Sequence, residues 1–322
     1  MSTFIQTATN YGSGVLLLLG VLYLYDKYKQ KENEMEYYEN QAVIHEYLLN
    51  QEFNGEKPFL WIPLTYEANT RHWQSFMSRK TTDLNQPYID ATIASIIRHN
   101  SNDFNVCILD DRSFSKLLPS WKISLVDTPD PIRTHLRNLA LMKVVYEYGG
   151  LIVPPSFLCI QSLLPIYQQR SPMVTVEEIN RTSSSEHTLF TPSFSFMGAN
   201  PKCPLLEKGI QRFEEMVSKN YTHELEFWGQ WNRWCYEQVH QGHMTVIDGN
   251  LVGVKRENRT IPIDNLLSEQ NSYQLFKNVK YGIWLPQKEI LQRTNYQWFA
   301  RMSYQQIIDS NLAVANYFIL SN

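Results

Sequence analysis

Two short apolar runs on either side of an amphipathic helix constrain this chain more than any other feature. Phe59–Leu64 (FLWIPL) and Phe104–Leu109 (FNVCIL) each have the length of a buried strand, and the second closes on the turn-forming pair Asp110-Asp111. Between them Pro87 opens a helix with Ile89, Ile93, Ile96 and Ile97 on one face and Arg98-His99 in its last turn. Strand, helix and strand with short connections make a βαβ unit, so an α/β fold with a parallel sheet is expected.

The pattern continues downstream. Pro131 starts a second helix over Ile132–Glu147, whose LALMKVVY stretch is apolar nearly all round and therefore reads as buried; Gly149-Gly150 stops it. Leu151–Val153 then reads as a short strand broken at once by Pro154-Pro155, and Phe190–Phe196 and Met244–Ile247 as further strands. Pro204–Ser218 and the Trp-rich Leu225–Val239 have helical spacing. No repeat and no second boundary interrupts residues 57–322, which are read as one globular domain.

Composition removes whole classes of function. The chain has 322 residues, a net charge of −3 and 43% hydrophobic against 19% charged residues, which is not the balance of a disordered protein. No Lys/Arg-dense run exists, so no nucleic-acid partner is expected. Cys107, Cys159, Cys203 and Cys235 are scattered without a C-x-x-C pair and read as free thiols, which fits a reducing compartment.

The N-terminus carries a membrane signal. Gly14–Tyr25 (GVLLLLGVLYLY) is free of charge, and extension back to Phe4 gives 22 residues, about 33 Å of helix, enough for the ~30 Å hydrocarbon core. The expectation is a single-pass anchor within residues 1–25, with residues 4–25 in the bilayer; a buried N-terminal helix is the competing reading. Lys27, Lys29 and Lys31 follow it, whereas no Lys or Arg precedes it, which puts the globular part on the cytoplasmic side. Residues 26–56 are polar, alternate Glu with Lys and read as a helical stalk. Asn-x-Thr sequons at Asn180, Asn220 and Asn258 would matter only in a lumen.

Familiar catalytic signals are missing: there is no P-loop, no G-x-G-x-x-G after a strand and no G-x-S-x-G elbow. His240 and His243 resemble half of a metal pair but lie at a helix end with no fixed carboxylate, so they read as C-terminal cap residues. Asp110 and Asp111 are the catalytic candidates, because ligands of open α/β sheets gather at the carboxyl ends of strands; an Asx turn leading into the next helix is the alternative.

The segment Arg133–Phe157, RTHLRNLALMKVVYEYGGLIVPPSF, carries the most specific pattern. It resembles the family 32 glycosyltransferases and the related capsular polysaccharide synthesis proteins, in which a helix ends in Tyr-Gly-Gly before a short strand carrying Asp-x-Asp. Tyr146, Tyr148, Gly149 and Gly150 match. KPFLWIPL, FNVCILDD and SFSFMGANPKCPLLEKGIQRF extend the likeness over roughly residues 57–239. The resemblance implies a Rossmann-like A-type glycosyltransferase fold, a mostly parallel sheet with helices on both faces, and a nucleotide sugar as small-molecule partner. Trp61, Arg133, Arg137, Asn138, Gly149 and Gly150 are the donor-binding candidates it implies or leaves nearby.

The departures from the pattern fall on the chemistry. Asp-x-Asp falls on Pro154, Pro155 and Ser156, and the helix Asp on Asn138. Hard divalent cations need charged oxygen ligands, so no metal or other cofactor is expected. Without a cation the leaving diphosphate would need Arg, Lys or backbone dipoles, and Arg133, His135, Arg137 and Lys143 are the nearest. Three readings follow. The first is a membrane-tethered glycosyltransferase-like protein serving as a non-catalytic binding or structural module. The second is an active metal-independent transferase, with Asp110, Asp111 or Asp248 as base and Arg133/Arg137 on the diphosphate. The third is an assembly component of a membrane-containing particle, presenting aromatics around Trp228–Trp234 or Trp298-Phe299 to protein partners.

Overall fold

The computed structural model describes residues 55–64, 86–125, 127–180, 189–219, 223–269 and 275–322, all within one compact unit. The anchor expected over residues 4–25 and nearly all of the stalk lie outside the described residues. Among the described residues no helix is long and apolar enough to cross a membrane.

The fold is mixed α/β with a central, mostly parallel sheet. Strand β1 (Phe59–Pro63) pairs in parallel with β2 (Asn105–Leu109), from Phe59 opposite Asn105 to Pro63 opposite Leu109. The intervening helix α1 (Tyr88–Asn100) buries Tyr88, Ile89, Ile93, Ile96 and Ile97, so the isoleucine stripe is its inner face. Asp90 in its first turn and Arg98-His99 in its last match the helix dipole. After β2 come the short helix α2 (Ser113–Leu117) and the long helix α3 (Ile132–Tyr148). The chain then crosses β1 to pair β3 (Gly150–Ile152) in parallel on its other side.

Beyond β3 the short strand β4 (Phe157–Cys159) leaves the main sheet and pairs with β10 (Gly282–Trp284), while α4 (Leu164–Tyr167) leads to β5 (Met173–Ile179). Strand β6 (Phe190–Ala199) is antiparallel to both β3 and β5, and β7 (Met244–Ile247) returns parallel to β5. The order is β2-β1-β3-β6-β5-β7, and β6 alone runs against the rest. Its reversal follows from connectivity, because the ten residues 180–189 that join β5 to β6 are fewer than a parallel crossover needs. Strands β8 (Lys255–Arg256) and β9 (Arg259–Thr260) form a separate hairpin.

Helices α5 (Pro204–Lys219) and α6 (Glu224–His240) share one apolar core with α3 and Trp61. The last eighty residues, weakly patterned in sequence, add short helices over Ile263–Leu266, Gln287–Gln292, Gln297–Ala300, Tyr304–Ile308 and Ala315–Leu320. They close against α1. Phe299 lies 5.1 Å from Tyr88, and Arg98 Nη1 donates to Ser321 O and Asn322 Oδ1, both at 2.7 Å.

At the Gly149-Gly150 step helix, strand and neighbour meet tightly. Both residues have left-handed φ, +70° and +106°, which L side chains rarely adopt. A Cβ on Gly150 would collide with the Phe59 carbonyl, and one on Gly149 would sit 2.6 Å from Pro201 Cδ. Gly242 shares the φ, at +72°, but faces open space. Gly150→Ala is therefore expected to cost about 3 kcal/mol of unfolding free energy, and Gly242→Ala about 1 kcal/mol. Equal losses in parallel urea titrations would show that steric closure at Gly150 contributes nothing.

Candidate functional site

The order β2-β1-β3 makes β1 the strand from which the chain turns first to one side and then to the other. In an open α/β sheet the crevice outside the carboxyl ends of such strands is the ligand position. Here that crevice is bordered by Leu64 after β1, Asp110-Asp111 after β2 and Val153–Ser156 after β3. Helix α3 ends one residue before β3 begins, so its N-terminal turns, with Arg133 and Arg137, lie at this same edge.

Asp110 and Asp111 have different occupations. Asp110 Oδ1 accepts from the backbone N–H of Arg112 (3.1 Å) and Ser113 (2.9 Å) and from Ser113 Oγ (2.6 Å), the Asx turn that leads into α2. Asp111 turns toward α3, where Arg137 Nε and Nη2 each donate to one of its oxygens at 2.7 Å. This fork-to-fork pair is only 18% and 23% exposed, and it joins two motifs that lie 26 positions apart in sequence. Arg133 is turned away from it: its Nε donates to Thr128 O at 2.7 Å and its guanidinium lies 4.0 Å from Asp130. Asn138 follows Arg137 on the helix and is half-buried.

Pro154, Pro155 and Ser156 form a stitched turn. Ser156 is buried, its Oγ donates to Leu285 O at 2.9 Å, and its carbonyl accepts from Leu285 N at 3.1 Å. The Pro155 carbonyl accepts from Thr92 Oγ1 of α1 at 2.5 Å. These residues do not fit a divalent cation: two imino acids and a committed hydroxyl bring no charge and no free oxygen pair. Among the described residues no three His, Cys, Asp or Glu side chains converge as a metal site.

The remaining donor candidates lie elsewhere. Trp61 is buried, stacks on Phe59 at 4.8 Å and donates Nε1–H to Gly149 O at 2.8 Å. Gly149 and Gly150 sit at the amino end of β3, across the strand from the crevice. Lys143 pairs with Glu214 of α5 at 2.6 Å. His240 and His243 are exposed, and all four cysteines are buried and free. Trp231 is buried among Phe194, Phe213 and Trp234, whereas Trp298 is 47% exposed.

Two charged constellations escaped sequence reading. Asp248, at the carboxyl end of β7, belongs to the first: Lys255 Nζ lies 2.5 Å from Glu177 Oε2 and 3.3 Å from Asp248 Oδ1, with the ammonium over the Phe190 ring. A lysine in a two-residue strand gives no sequence signal of burial. The second is His135, fully buried, with Nε2 2.7 Å from Glu224 Oε1 and its ring stacked on Phe227 at 3.9 Å. Burial lowers the His135 pKa and outweighs the opposing pull of Glu224 and Asp130.

No family model and no curated protein matches this chain. The polar groups at this edge chiefly hold one another.

Two measurements probe this arrangement. A double-mutant cycle on Asp111→Ala and Arg137→Ala is expected to return about 1 kcal/mol of coupling that shrinks as salt is added; no coupling would leave the pair without structural weight. His135 has a folded pKa below its unfolded value of about 6.5, so the native state binds fewer protons and stability falls as pH drops through 6.5. Denaturation midpoints between pH 7.5 and 5 should fall less in His135→Gln than in the parent chain, and superimposable profiles would exclude a contribution from this residue.

Proposed function

We propose that the chain is a glycosyltransferase-like scaffold, a Rossmann-like A-type fold with helices on both faces, that serves as a non-catalytic binding or structural module. A bilayer anchor at residues 4–25 and a cytoplasmic-facing domain complete this reading. The observation that carries it is the turn at the end of β3. Where the resemblance implies two cation-binding carboxylates, Pro154, Pro155 and Ser156 stand, with their polar atoms bonded inward to Thr92 and Leu285. No charge is left there to neutralise a diphosphate.

The neighbouring groups support the same conclusion. An arginine that would steady a leaving diphosphate must be free to reach it, and Arg137 is held bidentately by Asp111. A general base must be able to accept a proton from substrate, yet Asp110 Oδ1 is occupied by its own turn and Asp248 Oδ1 by Lys255 and the Asn250 amides. The aromatic run on α6 packs mainly inward, so an assembly role has less to present there than its sequence promises.

Differential scanning of the full chain with manganese and UDP- or GDP-linked sugars tests the proposal. The expected result is an unchanged melting temperature. Saturating binding at about 100 times Kd would add roughly 2.7 kcal/mol, so a stabilisation of several degrees would overturn the reading.

A further inference from the structure

Outside the strand-edge crevice, an open groove lies along α5 and α6. Residues rising along α5 meet residues falling along α6, Gly209 with Trp234 and Phe213 with Trp231 and Phe227, so the two helices run antiparallel. Large rings make the contact between them. Arg212, Gln230, Arg233, Trp234 and Glu237 line about 370 Å³ of the groove, and Arg212 and Gln230 also line a second hollow of about 150 Å³ whose wall includes Glu215 and Lys219.

Two features set this groove apart from an ordinary solvated helix face. Arg212 and Arg233 come from different helices, line the same hollow, and pair with no other described residue, whereas the nearby Lys219 lies 3.9 Å from Glu215. Trp234 forms a wall packed from two sides: it stacks on Trp231 at 5.0 Å and 22°, and it lies over Gly209, where an added Cβ would sit 3.0 Å from the indole. That contact gives a physical reason for a glycine inside α5, a position where it costs about 1 kcal/mol relative to alanine.

We propose that the α5–α6 groove binds a small phosphate-bearing ligand, the phosphoryl group lying between Arg212 and Arg233 and an attached ring or apolar group lying against Trp234. Each guanidinium is a planar fork of N–H donors, and two forks carried on separate helices and lining one hollow suit a tetrahedral dianion better than a single carboxylate, which one fork already satisfies. The larger hollow lies within the range of small-molecule sites. Glu237 shares it and leaves one net positive charge, which favours a single phosphoryl group over a polyanionic chain. The site lies on the helical layer and is independent of the reading of the strand-edge crevice.

Calorimetric titration of the full chain with phenyl phosphate and with inorganic phosphate, at low salt, tests it. Saturable binding of phenyl phosphate is expected, tighter than that of inorganic phosphate and weakened at least about tenfold in Arg212→Gln and in Arg233→Gln. Both arginines are exposed, so these variants keep the fold, which far-UV circular dichroism verifies. Absence of saturable binding, or binding that the double variant leaves unchanged, overturns the proposal.

Discussion

The hydrogen bond from the Trp61 indole to the Gly149 carbonyl joins β1 to the turn between α3 and β3, and the candidate edge depends on it. It fixes where α3 stops and β3 starts, and thereby where the N-terminal turns of α3 meet the carboxyl ends of β1 and β2. The close approach of Gly150 to Phe59 permits that junction, because any side chain would push the two strands apart. The pairing of β1 with β2 on one side and β3 on the other then defines the crevice.

Charge at this edge is satisfied from within. Asp111 holds Arg137, Asp110 holds its own turn, and Lys255 sits between Glu177 and Asp248. A buried or half-buried charge with a good partner has little reason to recruit a ligand, since the exchange would break a bond already made in low dielectric. The same logic applies to Ser156, whose hydroxyl is bound to Leu285. An edge built this way suits a scaffold. The α5–α6 groove is its counterpart, with guanidiniums that have no partner among the described residues.

Local pattern made the early elements legible. The isoleucine stripe of α1, the proline starts of α1 and α3, and the apolar runs of β1 and β2 appear where their spacing puts them, because period and end signals are local properties. Strand β5 was not legible: MVTVEEI carries two glutamates just before its last residue, and its burial depends on β6 and β7 on either side. Strand β4 and the C-terminal helices were not legible for the same reason, their short runs being specified by partners such as α1 and not by length or period.

The sequence by itself determined an α/β chain with parallel β1 and β2, a helix stopped by Gly-Gly, and a Pro154-Pro155-Ser156 step without a carboxylate after β3, since each is written in residue type and spacing. Tertiary structure alone decided that Asp111 meets Arg137, that Ser156 bonds Leu285 across 129 positions, and that Arg212 and Arg233 border one groove. Periodicity tells which face of an element is buried but not which neighbour covers it. A side chain's free or occupied state is a property of that neighbour, and here it separates groups that hold the fold from groups left open to a ligand.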